Sequence, residues 1–176
     1  AATYAERMFT IVELGPLAGD EVGQAVRLPA QQLGVRWDTP AVEAVVDHSD
    51  GYPFFVQTWA YHVWNAALDD PISAADVARA VPAARHSLDT SFFASRLARI
   101  PDSEVAYVRA LASLGPGPHR SGEVAAAAGR AVQAVAAFRD RLIGEGLIYA
   151  PRYGWVEFAI PHFAAFVDRT YGPLAD

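Results

Sequence analysis

The spacing of apolar positions changes character along the chain. Met8-Phe9-Thr10-Ile11-Val12-Glu13-Leu14 alternates well enough to read as a strand, and Gly15-Pro16 ends it. A single strand cannot satisfy its own backbone. Either it pairs with something later in the chain or its sheet is missing, and the chain reads as a fragment of something longer. From Leu17 to about Ile100 the period is helical. Asp20 and Glu21 suit a first helical turn, and Pro29 is expected to bend or break that helix. Thr39 as N-cap, Pro40 at N1, the stripe Val42, Val45, Val46 and the terminal Gly51 define a second helix. Pro53 through Leu68 is apolar nearly all round and predicts a central third helix. Ser73-Ala74-Ala75-Asp76 has the form of a capping box and opens a fourth. Leu88, Phe92, Phe93 and Leu97 give a fifth.

A second region begins at Pro101. Val105, Val108, Leu111 and Ala112 mark a helix, stopped by Gly115-Pro116-Gly117-Pro118. Ser121 caps a short helix. A longer one over about 131–145 carries Val132, Val135, Phe138 and Leu142 on one face. Two strands follow, 147–150 and 155–160, around the turn Pro151-Arg152-Tyr153-Gly154, and Phe163, Phe166 and Val167 fit a final helix. The expected fold class is mainly α: a helical, lid-like bundle over 17–100, then a winged helix-turn-helix over 101–176 with a small two-stranded wing.

Composition narrows the chemistry. The chain of 176 residues is 52% apolar, enough for a core, and contains no Cys, which excludes disulfides, thiol nucleophiles and Cys-bound metals. All 14 basic residues are Arg, a bias that fits GC-rich coding. Without Lys there is no phosphate-binding P-loop and no Schiff-base chemistry. No apolar run approaches the length of a membrane helix, so no membrane partner is expected, and a cytoplasmic location is. The five His residues show no metal-ligand spacing, and no nucleophile elbow is present. No catalytic residue, and no metal, is assigned to this chain.

Three segments resemble a known family: Leu14-Gly15-Pro16-Leu17 after a strand; Asp47-His48-Ser49-Asp50-Gly51-Tyr52-Pro53-Phe54-Phe55-Val56-Gln57; and Arg139 to Ile148 followed by Phe158-Ala159-Ile160-Pro161-His162-Phe163. Together they are similar to the C-terminal half of bacterial and archaeal-type AAA+/STAND P-loop ATPases, in which a nucleotide-binding core precedes a helical lid and a winged helix. The resemblance implies that Gly51, Tyr52 and Pro53 lie on the adenine side of ATP or ADP held by an N-terminal nucleotide-binding core absent from this chain. It also implies that a lid Arg, with Arg79 and Arg85 as candidates, senses the γ-phosphate. The same three residues also satisfy ordinary capping preferences, Gly51 past a helix end and Pro53 at a helix start. By the same resemblance residues 1–16 are the remnant of the last core strand and its linker; the core with its Walker motifs is missing, so the chain by itself should not hydrolyse ATP, and its parent should.

The winged region has two readings. With Val132, Val135, Phe138 and Leu142 inward, Arg130, Gln133 and Arg141 face out, and Arg152 sits at the wing tip with Tyr153. Such residues can contact duplex DNA. Against this, residues 101–176 hold seven Arg and eight acids, where DNA-binding domains carry positive excess. The alternative is regulatory packing, on the parent's core or on a protein partner. His48 reads as a helix C-terminal cation favoured by the dipole. Trp59, Tyr61 and Trp64 read as core packing.

Overall fold

The computed structural model describes residues 15–172, and the strand expected over 8–14 lies outside them. The described chain is mainly helical, with one small three-stranded antiparallel sheet. It divides into two compact units, Ala1–Val81 and Pro82–Asp176, earlier than the division at 100/101 drawn from the sequence. No described helix is long and apolar enough to cross a membrane.

The first unit holds α1 (Gly19–Gln32), α2 (Thr39–Ser49), α3 (Pro53–Ala66) and the start of α4 (Ala74–Ser87). Val22 and Val26 of α1, Val42 and Val45 of α2, and Phe55, Val56, Trp59 and Val63 of α3 are buried together with Ile72 and Val77. These positions recur at the three- and four-residue spacing that puts side chains on one helix face. A short parallel bridge, Trp37 to Ile72, ties the α1–α2 connection to the segment before α4. Arg36 braces it through its backbone N–H to Asp70 at 2.8 Å and its guanidinium to the same carboxylate at 3.1 Å.

Several local expectations shift. α1 runs through Pro29 without breaking; Pro removes only its own donor, and the flanking Val26 and Ala30 are buried. The cap of α2 is Asp38, not Thr39: its side chain accepts the Ala41 N–H at 2.7 Å. A carboxylate at N-cap satisfies an orphan donor and complements the helix dipole at once. α3 is not wrapped all round, since Phe54, Tyr61 and Trp64 remain substantially exposed.

Of the capping box read before α4, the half in which Asp76 reaches back to Ser73 forms, while the Ser73 hydroxyl donates to that carboxylate instead of accepting the Asp76 N–H. Asp76 accepts from the Ser73 N–H at 2.9 Å and hydroxyl at 2.7 Å, and pairs with Arg79. The Ser73 hydrogen bonds and the Arg79 charge outweigh burial and hold the Asp76 carboxyl at about 2, below its usual 3.8. The unfolded chain takes up its proton near 3.8, so the stability contributed by ionised Asp76 is complete above that pH and is lost as pH falls toward 2.

In the second unit the segment read as a fifth α-helix begins as a π-helix, Leu88–Phe93, followed by α5 (Ala94–Leu97). At α-helical spacing Phe93 stands about 140° from Leu88 around the axis. The wider turn lets Leu88, Phe92 and Phe93 all be buried. Phe93 stacks on Phe166 at 5.2 Å and meets Phe163 edge-on. This aromatic contact with α9 (Phe163–Tyr171) places residues from 88 onward with the C-terminal unit, which is why the division falls before them.

The remaining elements are α6 (Asp102–Ser113), β1 (His119–Arg120), α7 (Ser121–Ala127), α8 (Val132–Gly144), β2 (Ile148–Tyr149) and β3 (Trp155–Phe158). The sheet order is β1-β3-β2, with Arg120 opposite Trp155 and Tyr149 opposite Glu157. The sequence gives two of these strands; β1, two residues long, has no periodicity to read. Ser121 is the first residue of α7 rather than its cap. The N-cap is Arg120, whose backbone N–H donates to Glu123.

We expect acid titration of the folded chain, followed by urea unfolding at each pH, to show stability falling between about pH 4 and 2. Asp76→Asn should lower stability at neutral pH by about 1–2 kcal/mol and flatten that acid limb.

Candidate functional site

In the first unit, the Gly51-Tyr52-Pro53 corner joins α2 to α3. Asp50 and Gly51 both have positive φ, 47° and 66°, so the chain turns through two left-handed residues. Gly51 is buried and has no space for a side chain: a Cβ there would lie 2.2 Å from the Leu17 carbonyl oxygen. The Leu17 N–H donates to the Gly51 carbonyl at 2.9 Å. The absence of a side chain thus serves a backbone crossing within the chain, with the Gly15-Pro16-Leu17 linker laid across the corner. Tyr52 is half-buried, its ring tilted against Phe55 at 4.7 Å, while Pro53 is exposed at the start of α3. His48, in the last turn of α2, stacks on Trp59 at 4.2 Å with rings nearly parallel. Of the two sensor candidates, Arg79 is committed to Asp76 and to the Ala66 carbonyl, where it closes the end of α3. Arg85 is exposed.

In the second unit, α8 turns inward most of the face expected. Val135 and Leu142 are buried and Phe138 and Arg139 half-buried, but Val132 is 46% exposed. Val132 and Arg139, seven residues apart, lie on the same side of the helix, and Val132 is its first residue. Glu104 of α6 is buried, and its carboxylate binds the Arg141 guanidinium in a short ion pair. Arg141, expected as an outward contact, is half exposed but paired within the protein. Its removal would leave a desolvated carboxylate. Tyr107, also on α6, is buried with no partner for its hydroxyl among the described residues, and burial pushes its pKa up to about 12 against the opposing pull of Arg139.

Arg130 and Gln133 are exposed, and Arg130 lies 5.7 Å over the Phe138 ring. Arg152 stacks over Trp155 at 3.8 Å, and Arg120 approaches the same ring at 5.4 Å. Tyr153, between them at the hairpin turn, is fully exposed. The phenol of Tyr149 donates to Glu157 at 2.6 Å, and this hydrogen bond to a carboxylate raises its pKa. The structure thus gathers Arg120, Arg152, Tyr153 and Trp155 at one end of the sheet. Arg120 and Trp155 escape the sequence reading because only cross-strand pairing through the two-residue β1 joins them.

Four substitutions separate structural from surface roles. Gly51→Ala should lose at least about 2 kcal/mol, from positive φ and the Leu17 clash, read as a lower urea midpoint. Arg141→Ala should lose about 2–3 kcal/mol, less than a fully buried pair because the arginine is half exposed. Arg130→Ala and Arg152→Ala should stay within about 0.5 kcal/mol of the parent.

The comparisons with known proteins bear on the second unit. No curated protein matches the chain. Residues 90–167, which fall within the C-terminal unit, match a family described as a domain of unknown function (DUF8462).

Proposed function

We propose that this chain is the C-terminal regulatory half of a bacterial, cytoplasmic ATP-binding protein of AAA+/STAND type, not itself an enzyme. In this reading the first unit acts as a lid over ATP or ADP held by a preceding core, and the second is a winged helix that couples lid closure to a partner. The observation that carries it is the linker crossing. Leu17 is fixed to Gly51 by a backbone hydrogen bond, so the linker meets the corner that carries half-buried Tyr52 and exposed Pro53. An apolar ring and a proline at that entry suit the face of an adenine. The winged-helix part is supported by element order: α6, β1, α7, α8, then the β2–β3 hairpin, with β3 central in the sheet. With no Lys in the chain, phosphate binding and hydrolysis would fall to the core.

A specific observation favours duplex DNA as a second reading for the winged region. The Arg120 and Arg152 guanidiniums share the Trp155 ring, and neither is ion-paired among the described residues. Exposed, pre-oriented guanidiniums beside a fully exposed tyrosine suit phosphate contact. With Arg141 bound to Glu104, that contact would rest on Arg120, Arg130, Gln133 and Arg152.

For the lid reading, we expect the parent with its core to bind ATP, and Tyr52→Ala or Pro53→Ala to weaken binding about fivefold, the worth of roughly 1 kcal/mol of apolar contact. Unchanged affinity in both variants sinks it. For the DNA reading, duplex affinity should fall steeply with salt, and Arg120→Ala and Arg152→Ala should each reduce the log–log slope by about 1. A slope that neither variant moves counts against DNA.

A further inference from the structure

Two surfaces of the second unit are open to a duplex: the outer face of the sheet and the exposed side of α8. The register defines the first. Val156 and Ile148 are buried. Alternation therefore puts Trp155 and Glu157 of β3 on the outer face, with Arg120 and Tyr149 opposite them on the neighbouring strands. The Arg152 guanidinium stacks on the Trp155 ring at 3.8 Å, and that of Arg120 lies 5.4 Å from the same centroid. Both arginines are exposed, and neither has an acidic partner among the described residues. The acids of β3 and α7 are engaged elsewhere: Glu157 accepts the Tyr149 phenol at 2.6 Å, and Glu123 the Arg120 backbone N–H at 3.0 Å. The Ser121 N–H donates to the Gly154 carbonyl at 2.8 Å, which fastens the hairpin turn to the start of α7. Arg120 and Arg152 are thus held at one indole before any ligand arrives, and binding has less side-chain freedom to remove.

α8 is built differently. Its exposed positions between 133 and 140 are Gln133, Ala134, Ala136, Ala137 and Asp140. Only Gln133 and Asp140 carry groups that can meet a base edge, and Asp140 brings negative charge and is paired with Arg139. Arg141 is held by Glu104. Arg130, just before the helix, leans over Phe138 at 5.7 Å. A helix that reads sequence sets about three or four side chains on base edges; α8 does not offer them.

Two fixed cations without base-reading companions match the sugar–phosphate backbone, where each strand carries a charge about every 3.4 Å of helix axis. The indole favours a duplex over a single strand. Single-strand binders stack bases on open aromatic faces, and here guanidiniums lie against the ring. Tyr153, fully exposed beside Arg152, adds a phenol donor for a further phosphate oxygen.

We infer that the outer face of the β1–β3–β2 sheet, and not α8, holds duplex DNA, through phosphates alone and without regard to base sequence. This rests on the DNA reading of the second unit and narrows its contact set to Arg120, Arg152 and Tyr153.

The test uses the whole chain, ¹⁵N-labelled, titrated at low salt with two duplexes of about 16 base pairs, one and a half helical turns, equal in composition and unrelated in sequence. We expect the Trp155 indole Nε1–H and the backbone amides of Arg120, Arg152 and Tyr153 to shift, with the amides from Gln133 to Ala137 unmoved. Both duplexes should bind alike, with a log–log salt slope of about −2 for two neutralised phosphates. Arg152→Ala should halve that slope and weaken both duplexes equally. Arg152→Lys, which keeps the charge, should restore the slope, and Arg99→Ala, at an exposed arginine on the α5–α6 connection, should leave it unchanged. Shifts centred on α8, or a preference of about tenfold for one duplex that Gln133→Ala abolishes, overturn the inference while DNA binding stands. No shift of any signal up to about 1 mM duplex removes the DNA reading and the inference with it. Tighter binding of the corresponding single strand overturns it as well. So does equal binding of polyglutamate of matched charge, which would make the partner an acidic protein surface.

Discussion

The backbone crossing at Gly51 is the constraint on which the first unit depends. Two chain segments approach so closely there that a single methyl group would overlap the Leu17 carbonyl oxygen. A left-handed residue is required to turn from α2 into α3, and a residue without a side chain is required to let Leu17 pass; glycine alone meets both. The consequences spread outward. Leu17 donates to Gly51, which fixes where α1 starts. α1 and α3 then flank α2 and enclose Val22, Val45, Phe55 and Val63, all of them fully buried.

The second unit is organised around a different demand. Glu104 on α6 is buried, and burying a carboxylate is costly unless it is paired. Arg141 supplies the partner from α8 and ties the two helices together. The pairing occupies one arginine of the face read from the sequence as a nucleic-acid contact. It leaves the cationic character of the unit at the β1–β3 end of the sheet, where Arg120 and Arg152 lie on Trp155. The unit carries ten Arg and nine acids, and the first unit four Arg and eleven acids.

The repeat of apolar residues at three and four positions located α1, α2, α3 and α6 to within a few residues, because a helix buries one face and hydrogen-bonds only to itself. The Ser73–Asp76 box was equally legible, as all its partners lie within four residues. Errors cluster where partners are distant. Asp38 and Thr39 are both good caps, and only the observed path of the chain selects Asp38. The π-turn at Leu88–Phe93 answers to Phe163 and Phe166, some seventy residues on. β1 exists only because β3 comes back to pair with it.

The same division holds for the candidate sites. By itself the sequence determined that the chain is mainly helical, that it lacks the lysine a P-loop requires, and that Gly51-Tyr52-Pro53 forms a corner between helices. These follow from local spacing and side-chain chemistry. Only the tertiary structure decided that the Gly51 vacancy is taken by Leu17, that Arg141 belongs to Glu104, and that Arg120 joins Arg152 on one indole. Each of these joins residues far apart along the chain. Which of many chemically equivalent partners a side chain meets is set by packing, and no local pattern encodes that choice.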